Sequence, residues 1–441
     1  MIKEVCCLLF CFGFILIGCG TNTKETTAND QLDSIPVINL ARGVVENSSF
    51  SISDVAKKVE IVSLEVTDGS ILADISKLLV TDNDIWIKHY KEERILRFSR
   101  SGKFLNFVGK IGQGPEEYIT LYDFNVDESQ KEVYVISALY GVKVYDYEGH
   151  YKRRATNQKI DDMFTATKEQ FVFYNQSIYL SQNLCVQKPI ANPKDSLWSI
   201  ALVDSMFKKK KIFKNPIHIG KEILLVEHRS KPESFDIVNY WTEHQTSIGL
   251  YGNEFTVKYP DTDTIYLYNV EHEDFVPQYS ILTEEEKGDY EFTHLWIKER
   301  KAFDYFTLIN YYPTLNYIYL VGSKGKSIYT YCYNKEDGTV KLEVRDEKMI
   351  ERKLPWFSQP HIFLPHSFVL KNDLSGGDFV VDFCSSGKFW IDVLGQDEKE
   401  SRIDKVKTSS VKDSSSRKEL VKALENMDED SNPILLIAVL K

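Results

Sequence analysis

The chain has 441 residues, with 54 Lys and Arg against 65 Asp and Glu, for a net charge of −11. A balance this acidic excludes a general nucleic-acid binder. Of seven cysteines, four fall within the first 19 residues, so no disulfide framework is available to the body of the chain.

Met1–Lys3 is a short charged start, followed by an apolar run over Val5–Gly18 that is too short to span a bilayer. Leu16-Ile17-Gly18-Cys19 has the form of a bacterial lipobox, in which Cys19 becomes the lipid-bearing first residue of the mature protein. Residues 1–18 are therefore expected to be a lipoprotein signal peptide. Residues 19–44 follow as the lipidated cysteine and a flexible tether, because the polar stretch 20–36 buries too little to order itself. The rest of the chain has no comparably long apolar run, so the expected attachment is an anchor rather than a membrane span.

From residue 45 the chain reads as mostly β, with short alternating runs rich in aromatic and β-branched residues and divided by turn residues. One repeated fragment is a hairpin around glycine: Arg97–Phe104 with Gly102, Val144–Tyr151 with Gly149, a looser Tyr331–Val340 with Gly338, and Phe383–Phe389 with Gly387. The glycine supplies positive φ between two strands. A second fragment, a polar turn leading into a short apolar strand, occurs six times. Its strands start near Ile85, Val133, Phe171, Phe255, Tyr317 and Phe379. Trp86 and Tyr134 are 48 residues apart and Gly102 and Gly149 are 47 apart. A period of this length with several strands per unit is the signature of a propeller blade.

Between the first two units lies Phe107-Val108-Gly109-Lys110-Ile111-Gly112-Gln113-Gly114-Pro115-Glu116-Glu117-Tyr118. A phosphate-cradling loop needs its glycines to feed a helix N-terminus, and here a strand follows instead. The segment reads as a wide turn between two sheet modules. Lys208–Lys211 reads as a solvated hairpin tip, with contact to a polyanion as the alternative. Further on, Ser280–Phe303 has the mixed pattern of a helical insertion. Lys399–Ser416 is a charged, serine-rich linker, and Arg417–Met427 has apolar residues at helical spacing. Pro433–Leu440 is a terminal apolar strand. With Val59–Leu64 it is expected to close the ring and remove an exposed edge.

Val59–Glu65, Gly109–Tyr118, Asp263-Thr264-Ile265-Tyr266 and Ser431-Asn432-Pro433-Ile434 occur in this order. Together they resemble the six-bladed β-propeller lipoproteins abundant in Bacteroidota, a family defined largely as a domain of unknown function. The Gly-Gln-Gly-Pro-x-Glu-Tyr segment is the most specific of the four, although Glu116 stands where glycine is usual. The resemblance covers residues 45–441. It implies an all-β, six-bladed β-propeller with a short helical insertion, a C-terminal helix and a closing strand. It also implies a place in the cell envelope, at the outer membrane, and carries no catalytic residues.

Few side chains stand out as a site. His361 and His366 are five apart in a proline-rich segment, and Asp261 and Asp263 lack the later ligands and central glycine of a calcium loop, so neither a metal nor a cofactor is expected. There is no Gly-x-Ser-x-Gly elbow, and no Glu/Asp pair can be singled out for glycoside cleavage. Asn239–His244 reads as a loop in which Tyr240, Trp241 and His244 either stack on a sugar or grip a peptide, or pack between blades. Trp356 has the same two readings. Glu116, Glu117 and Tyr118 are the part of the glycine segment that projects toward a channel in the expected fold. The expectation is a non-enzymatic ligand-binding or scaffolding module, with a glycan, a peptide or an envelope protein as partner and the membrane held through Cys19. A propeller enzyme acting on a polysaccharide or lactone is the alternative.

Overall fold

In the computed structural model the described residues lie between 35 and 440; residues 1–34 and several internal segments, the longest being 156–170, 285–305, 347–368 and 384–399, fall outside the description. The expected signal peptide, Cys19, His244, Trp356 and most of the expected helical insertion belong to those segments.

Among the described residues the fold is mostly β, with the α-helix Ser414–Glu425, in a propeller-like arrangement. Five sheets are up-and-down meanders, each drawn from one stretch of chain. The first sheet has strands Ile75–Val80, Asp84–His89, Ile95–Ser99 and Phe104–Val108. The second has Leu121–Asp127, Glu132–Ser137, Gly141–Asp146 and Tyr151–Arg154. The third has Phe171–Tyr174, Ser177–Ser181, Ile200–Val203 and Lys209–Phe213. The fourth has Ser247–Tyr251, Glu254–Lys258, Thr264–Asn269 and Asp274–Leu282. The fifth has Thr307–Pro313, Tyr317–Lys324, Ser327–Asn334 and Val340–Asp346.

That is one meander fewer than the six blades expected, because another four-stranded sheet is composite. Val369–Asn372, Asp378–Phe383 and Ile434–Leu440 come from the C-terminal part, and Ala56–Ser63 completes the sheet from the N-terminal part. Ile434 pairs with Ser63 and Val439 with Lys58 in an antiparallel register. A small additional sheet joins Cys185–Gln187, Asn239–Trp241 and Val226–His228. Its middle strand replaces the loop expected over 239–244, because Tyr240 has backbone partners on both sides in Val186 and Glu227.

Five of the six turn-and-strand fragments become the second strand of their sheet. Phe171–Tyr174 is the exception and starts the third sheet. A second strand has neighbours on both edges, and packed sheets cover both its faces, so its sequence must be apolar nearly throughout. Asp84–His89 and Glu132–Ser137 are accordingly buried at almost every position, whereas the outer strand Phe104–Val108 is mostly half-buried.

Successive sheets share cores. Val62, Leu435 and Ile437 of the composite sheet pack on Leu78, Val80 and Phe98 of the first. Trp86 and Val108 meet Phe124, Val133 and Tyr145 between the first and second. Tyr134 and Val144 meet Phe173 and Leu180 between the second and third. Tyr179 and Phe213 meet Phe255 and Tyr268 between the third and fourth, and Ile265 meets Tyr311, Leu320 and Tyr331 between the fourth and fifth. The helix Ser414–Glu425 lays Leu420 and Leu424 on Ile434 and Leu436, and Ser416 Oγ donates to the Val59 carbonyl at 2.6 Å.

Residues 37–44 fall in the stretch expected to be tether, yet they pack on the sheets. Val37–Asn39 adds a parallel strand to the outer edge of the fourth sheet and Val44–Val45 adds one to the fifth. Burial of Ile38 and Leu40 in the core between those two sheets supplies the driving force.

Candidate functional site

The loop 109–120 carries the chain from the outer strand of the first sheet to the first strand of the second. Its course is set by glycine. Gly109 has φ +64°, and a β-carbon there would lie 2.8 Å from the Tyr145 ring and 2.9 Å from the Tyr118 ring. A β-carbon on Gly112 would meet the Glu117 carboxylate at 1.9 Å. Side chains, not a ligand, occupy the space these glycines leave.

Each glycine amide of the loop already has a partner. Gly109 N donates to Gly149 O at 3.1 Å, Gly112 N to Tyr118 O at 3.0 Å, and Gly114 N to Glu117 Oε2 at 3.0 Å. A phosphate site of the kind that glycine loops form needs such donors to converge outward. Here two of them close the loop on itself and the Gly109 amide ties it to a hairpin of the second sheet.

The three loop residues singled out from the sequence separate into different roles. Tyr118 is 1% exposed; its hydroxyl donates to Val108 O at 3.2 Å and its ring meets Tyr145 edge-on at 6.2 Å. Glu117 folds back, taking the Gly114 amide on one oxygen and lying 3.6 Å from Lys110 Nζ with the other. The Gly114 hydrogen bond, with Lys110 and Lys143 nearby, holds its carboxyl below the usual range. Glu116 is exposed, and its carbonyl accepts from Tyr145 Oη at 2.8 Å. Exposed Lys110, Ile111, Gln113 and Pro115 flank it, so the outward surface of the loop is Lys110, Ile111, Gln113, Pro115 and Glu116.

The sequence reading missed Lys143. It is 1% exposed inside the joint and donates from Nζ to the Glu117 carbonyl. Burial, then the charge of Arg154, lowers its pKa. Strand alternation alone marks Lys143 as an inward residue between Val142 and Val144 only if both sheet faces are known to be covered.

Two further polar clusters hold the same two sheets, and a third lies within the second sheet alone. Arg97 lies over the rings of Trp86 and Tyr147, with Nε on Asp84 Oδ1 at 2.9 Å and Nη1 on Tyr147 O at 3.0 Å. Lys77 bridges to Asp123 Oδ1 at 2.6 Å and to Phe124 O at 2.7 Å. At the outer side, Arg153 takes Glu132 in a fork of 2.6 and 2.8 Å, Lys152 adds a 2.7 Å contact, and Tyr134 Oη donates to Glu132 at 3.1 Å. Burial alone would raise the Glu132 pKa, but the two cations outweigh it and bring it to about 2. Burial, then the Glu132 charge, pushes Tyr134 up to about 12.

Tyr240 and Trp241 belong to the small sheet, away from this loop in the chain, and His244 and Trp356 lie outside the described residues. Of the sequence-derived candidates, Glu116, Glu117 and Tyr118 share this loop, and Tyr240 and Trp241 share the middle strand of the small sheet. Among the described residues, no group of three or more His, Cys, Asp or Glu side chains has the arrangement of a metal site. Among the same residues, no helix is long and apolar enough to cross a membrane, which says nothing of β-barrels.

The family model for a domain of unknown function, DUF4934, matches residues 35–439. The chain belongs to the DUF4934 family. The match begins where the described structure begins, and so takes in the two N-terminal strands on the fourth and fifth sheets. This DUF4934 chain is similar to a candidate exported protein of Bacteroides fragilis NCTC 9343, with a TM-score of 0.62 and 17% identity over 92% of this chain and 99% of that one. The likeness shows the fold. A member of the duf4221 family from Bacteroides vulgatus aligns with a TM-score of 0.49 at 10% identity, over 88% of this chain and 97% of that one. No curated protein matches.

Proposed function

We propose that this chain is an envelope-anchored, six-bladed propeller lipoprotein that binds a ligand or partner without catalysing a reaction. The observation that carries the reading is the use made of the charged and aromatic groups around loop 109–120. Tyr118, Glu117, Lys143 and Tyr145 are committed to joining two sheets, while Ile111, Gln113, Pro115 and Glu116 are left outside on a braced frame. A rigid, outward-facing loop suits recognition, since little ordering cost remains at binding.

The sixth blade in this reading is the composite sheet, with the pairing of Ile434–Leu440 and Ala56–Ser63 as its closure. The lipobox ending in Cys19 supports lipid anchoring, with the outer membrane as the site. The likeness to an exported protein agrees with passage out of the cytoplasm. Glu116, Tyr240, Trp241, His244 and Trp356 are the residues assigned to ligand contact, with a glycan, peptide or envelope protein as the partner class.

Binding of the purified protein to glycan and peptide arrays tests the reading. Glu116→Ala should weaken the signal severalfold without changing the melting temperature, and Trp241→Ala should also weaken it severalfold. Turnover of a glycan or lactone library by the same preparation would overturn the non-enzymatic assignment. For the anchor, Cys19→Ala should move the protein from the membrane to the soluble fraction, and continued sedimentation with membranes would refute it.

A further inference from the structure

The strongest unassigned feature is the outer edge of the third sheet. Residues 208–214 read Lys-Lys-Lys-Lys-Ile-Phe-Lys, five lysines in seven positions of an acidic chain. Between Leu202 and Val203 the pairing skips from Lys211 to Lys209, leaving Lys210 as the extra residue of a bulge. The bulge divides the run. Lys209 lies over the Trp198 ring at 5.5 Å, in the core shared with the second sheet. Lys211 lies over the Phe213 ring at 5.2 Å, in the core shared with the fourth, and its Nζ donates to the Glu273 carbonyl. Lys208, Lys210 and Lys214 are exposed. Beside them are two exposed apolar side chains, Met206 at 55% and Ile212 at 40%.

The entry of the chain lies on the adjoining sheet. Val37–Asn39 runs parallel along the outer strand of the fourth sheet, with Val37 opposite Ser280 and Pro36 O accepting from Ser280 N at 3.0 Å. Because the pairing is parallel, Pro36 and Ile35 lead back toward the Glu273 end of that strand, which is where Lys211 is tied. Residues 20–34 can reach at most about 50 Å from there, at roughly 3.5 Å per residue.

We infer that the edge formed by Met206, Lys208, Lys210, Ile212 and Lys214 rests on an anionic lipid headgroup surface and orients the propeller on its membrane. This deepens the anchored-lipoprotein reading and rests on it for the presence of that surface. Clustered lysines with an apolar side chain or two are the chemistry that anionic headgroups attract, within a screening length of about 8–10 Å. The remainder of the chain is acidic in sum, which disfavours approach by other faces, and the lysine edge faces the membrane with the exposed Glu271, Glu273 and Asp274 of the adjoining hairpin at its border. A lipid tether holds the protein near the membrane; the lysine edge selects which side faces it.

The test uses the full lipidated chain in vesicles of phosphatidylcholine alone or mixed with phosphatidylglycerol. A membrane-impermeant amine reagent, mapped by mass spectrometry, reads each lysine, with exposed Lys103 on the first sheet as the internal reference. Lys208, Lys210 and Lys214 should be protected about tenfold on the mixed vesicles only, and added salt should restore their reactivity. The triple variant K208Q/K210Q/K214Q should weaken salt-sensitive binding to anionic vesicles by about 100-fold, or roughly fivefold per lysine. Equal reactivity on both vesicle types overturns the inference. Protection by poly-glutamate but not by vesicles also overturns it and makes an acidic polypeptide the occupant. Failure of the anchor is read separately, as loss of flotation with neutral vesicles; salt-sensitive binding to anionic vesicles then still supports the edge.

Discussion

Gly149 sits so close to Phe107 that a β-carbon on it would lie 2.1 Å from the Phe107 carbonyl oxygen. The same relationship recurs one sheet earlier, where a β-carbon on Gly102 would lie 2.2 Å from Ser63 O. In each case the glycine carbonyl accepts from the residue two positions past that contact, Gly109 N at 3.1 Å and Glu65 N at 2.8 Å. The hairpin glycine is therefore an inter-sheet joint as well as a turn.

Gly149→Ala and Gly102→Ala should each cost about 3 kcal/mol, from the left-handed backbone and the displaced neighbour together. Gly338 has the same kind of positive φ, +72°, but open space around it, so Gly338→Ala should cost only about 1 kcal/mol. Urea denaturation of the three variants checks the contrast. Equal losses would mean that only the turn matters.

Asn432 ties the two chain ends. Its Oδ1 accepts from Leu72 N at 2.7 Å, and its Nδ2 donates to Glu65 O at 2.9 Å and Ser70 O at 2.8 Å. It is 3% exposed, so Asn432→Ala takes the partner from two buried backbone groups, Leu72 N and Ser70 O, while Glu65 O keeps the Ser70 hydroxyl, and a loss of about 2–3 kcal/mol is expected. Asn432→Asp should lose at least as much, because a carboxylate faces two carbonyls. The denaturation midpoint reads both, and hydrogen exchange should speed up at residues 65–72.

Glu132 predicts an acid limb. Its folded pKa of about 2 lies below the unfolded value of about 4.3, so its contribution is present above about pH 4.3 and lost as pH falls toward 2. The difference in unfolding free energy between the native protein and Glu132→Gln should be about 3 kcal/mol at pH 7 and close to zero at pH 2. A difference independent of pH would show that the Arg153 fork contributes shape rather than charge.

The glycine loop separates structure from recognition. Tyr118→Ala should cost about 3–5 kcal/mol, as for a buried aromatic. Glu116→Ala should change stability by less than about 0.5 kcal/mol, so any effect on ligand binding is free of a folding contribution. Thermal melts run alongside the binding arrays separate the two.

Much of the architecture was readable from local pattern. The apolar second strands, the glycine hairpins at 102, 149 and 338, the helix at 414–425 and the closing strand at 434–440 all have periodicities or turn residues that act within a few positions. What could not be read is what depends on a partner sheet. Trp241 sits in a run with polar neighbours and no β-signal strong enough to define a strand, yet backbone pairing with Cys185 and Val226 makes it one. Val37–Asn39 is too short to order itself and does so only because the outer strand of the fourth sheet offers an open edge.

By itself, the sequence of residues 107–118 determined a glycine-rich crossing between two sheet modules that leads into a strand, which argues against a phosphate loop. Only the tertiary structure decided what the crossing does with its side chains. Tyr118 turns inward because its ring packs on Tyr145 and its hydroxyl reaches Val108 O, and Glu117 folds back onto the Gly114 amide and Lys110, while Lys143 and Tyr145 of the next sheet take the Glu117 and Glu116 backbone carbonyls and leave the Glu116 side chain outside. The sign and spacing of charges are local facts, but whether a charge braces the fold or meets a partner depends on which faces burial removes from water.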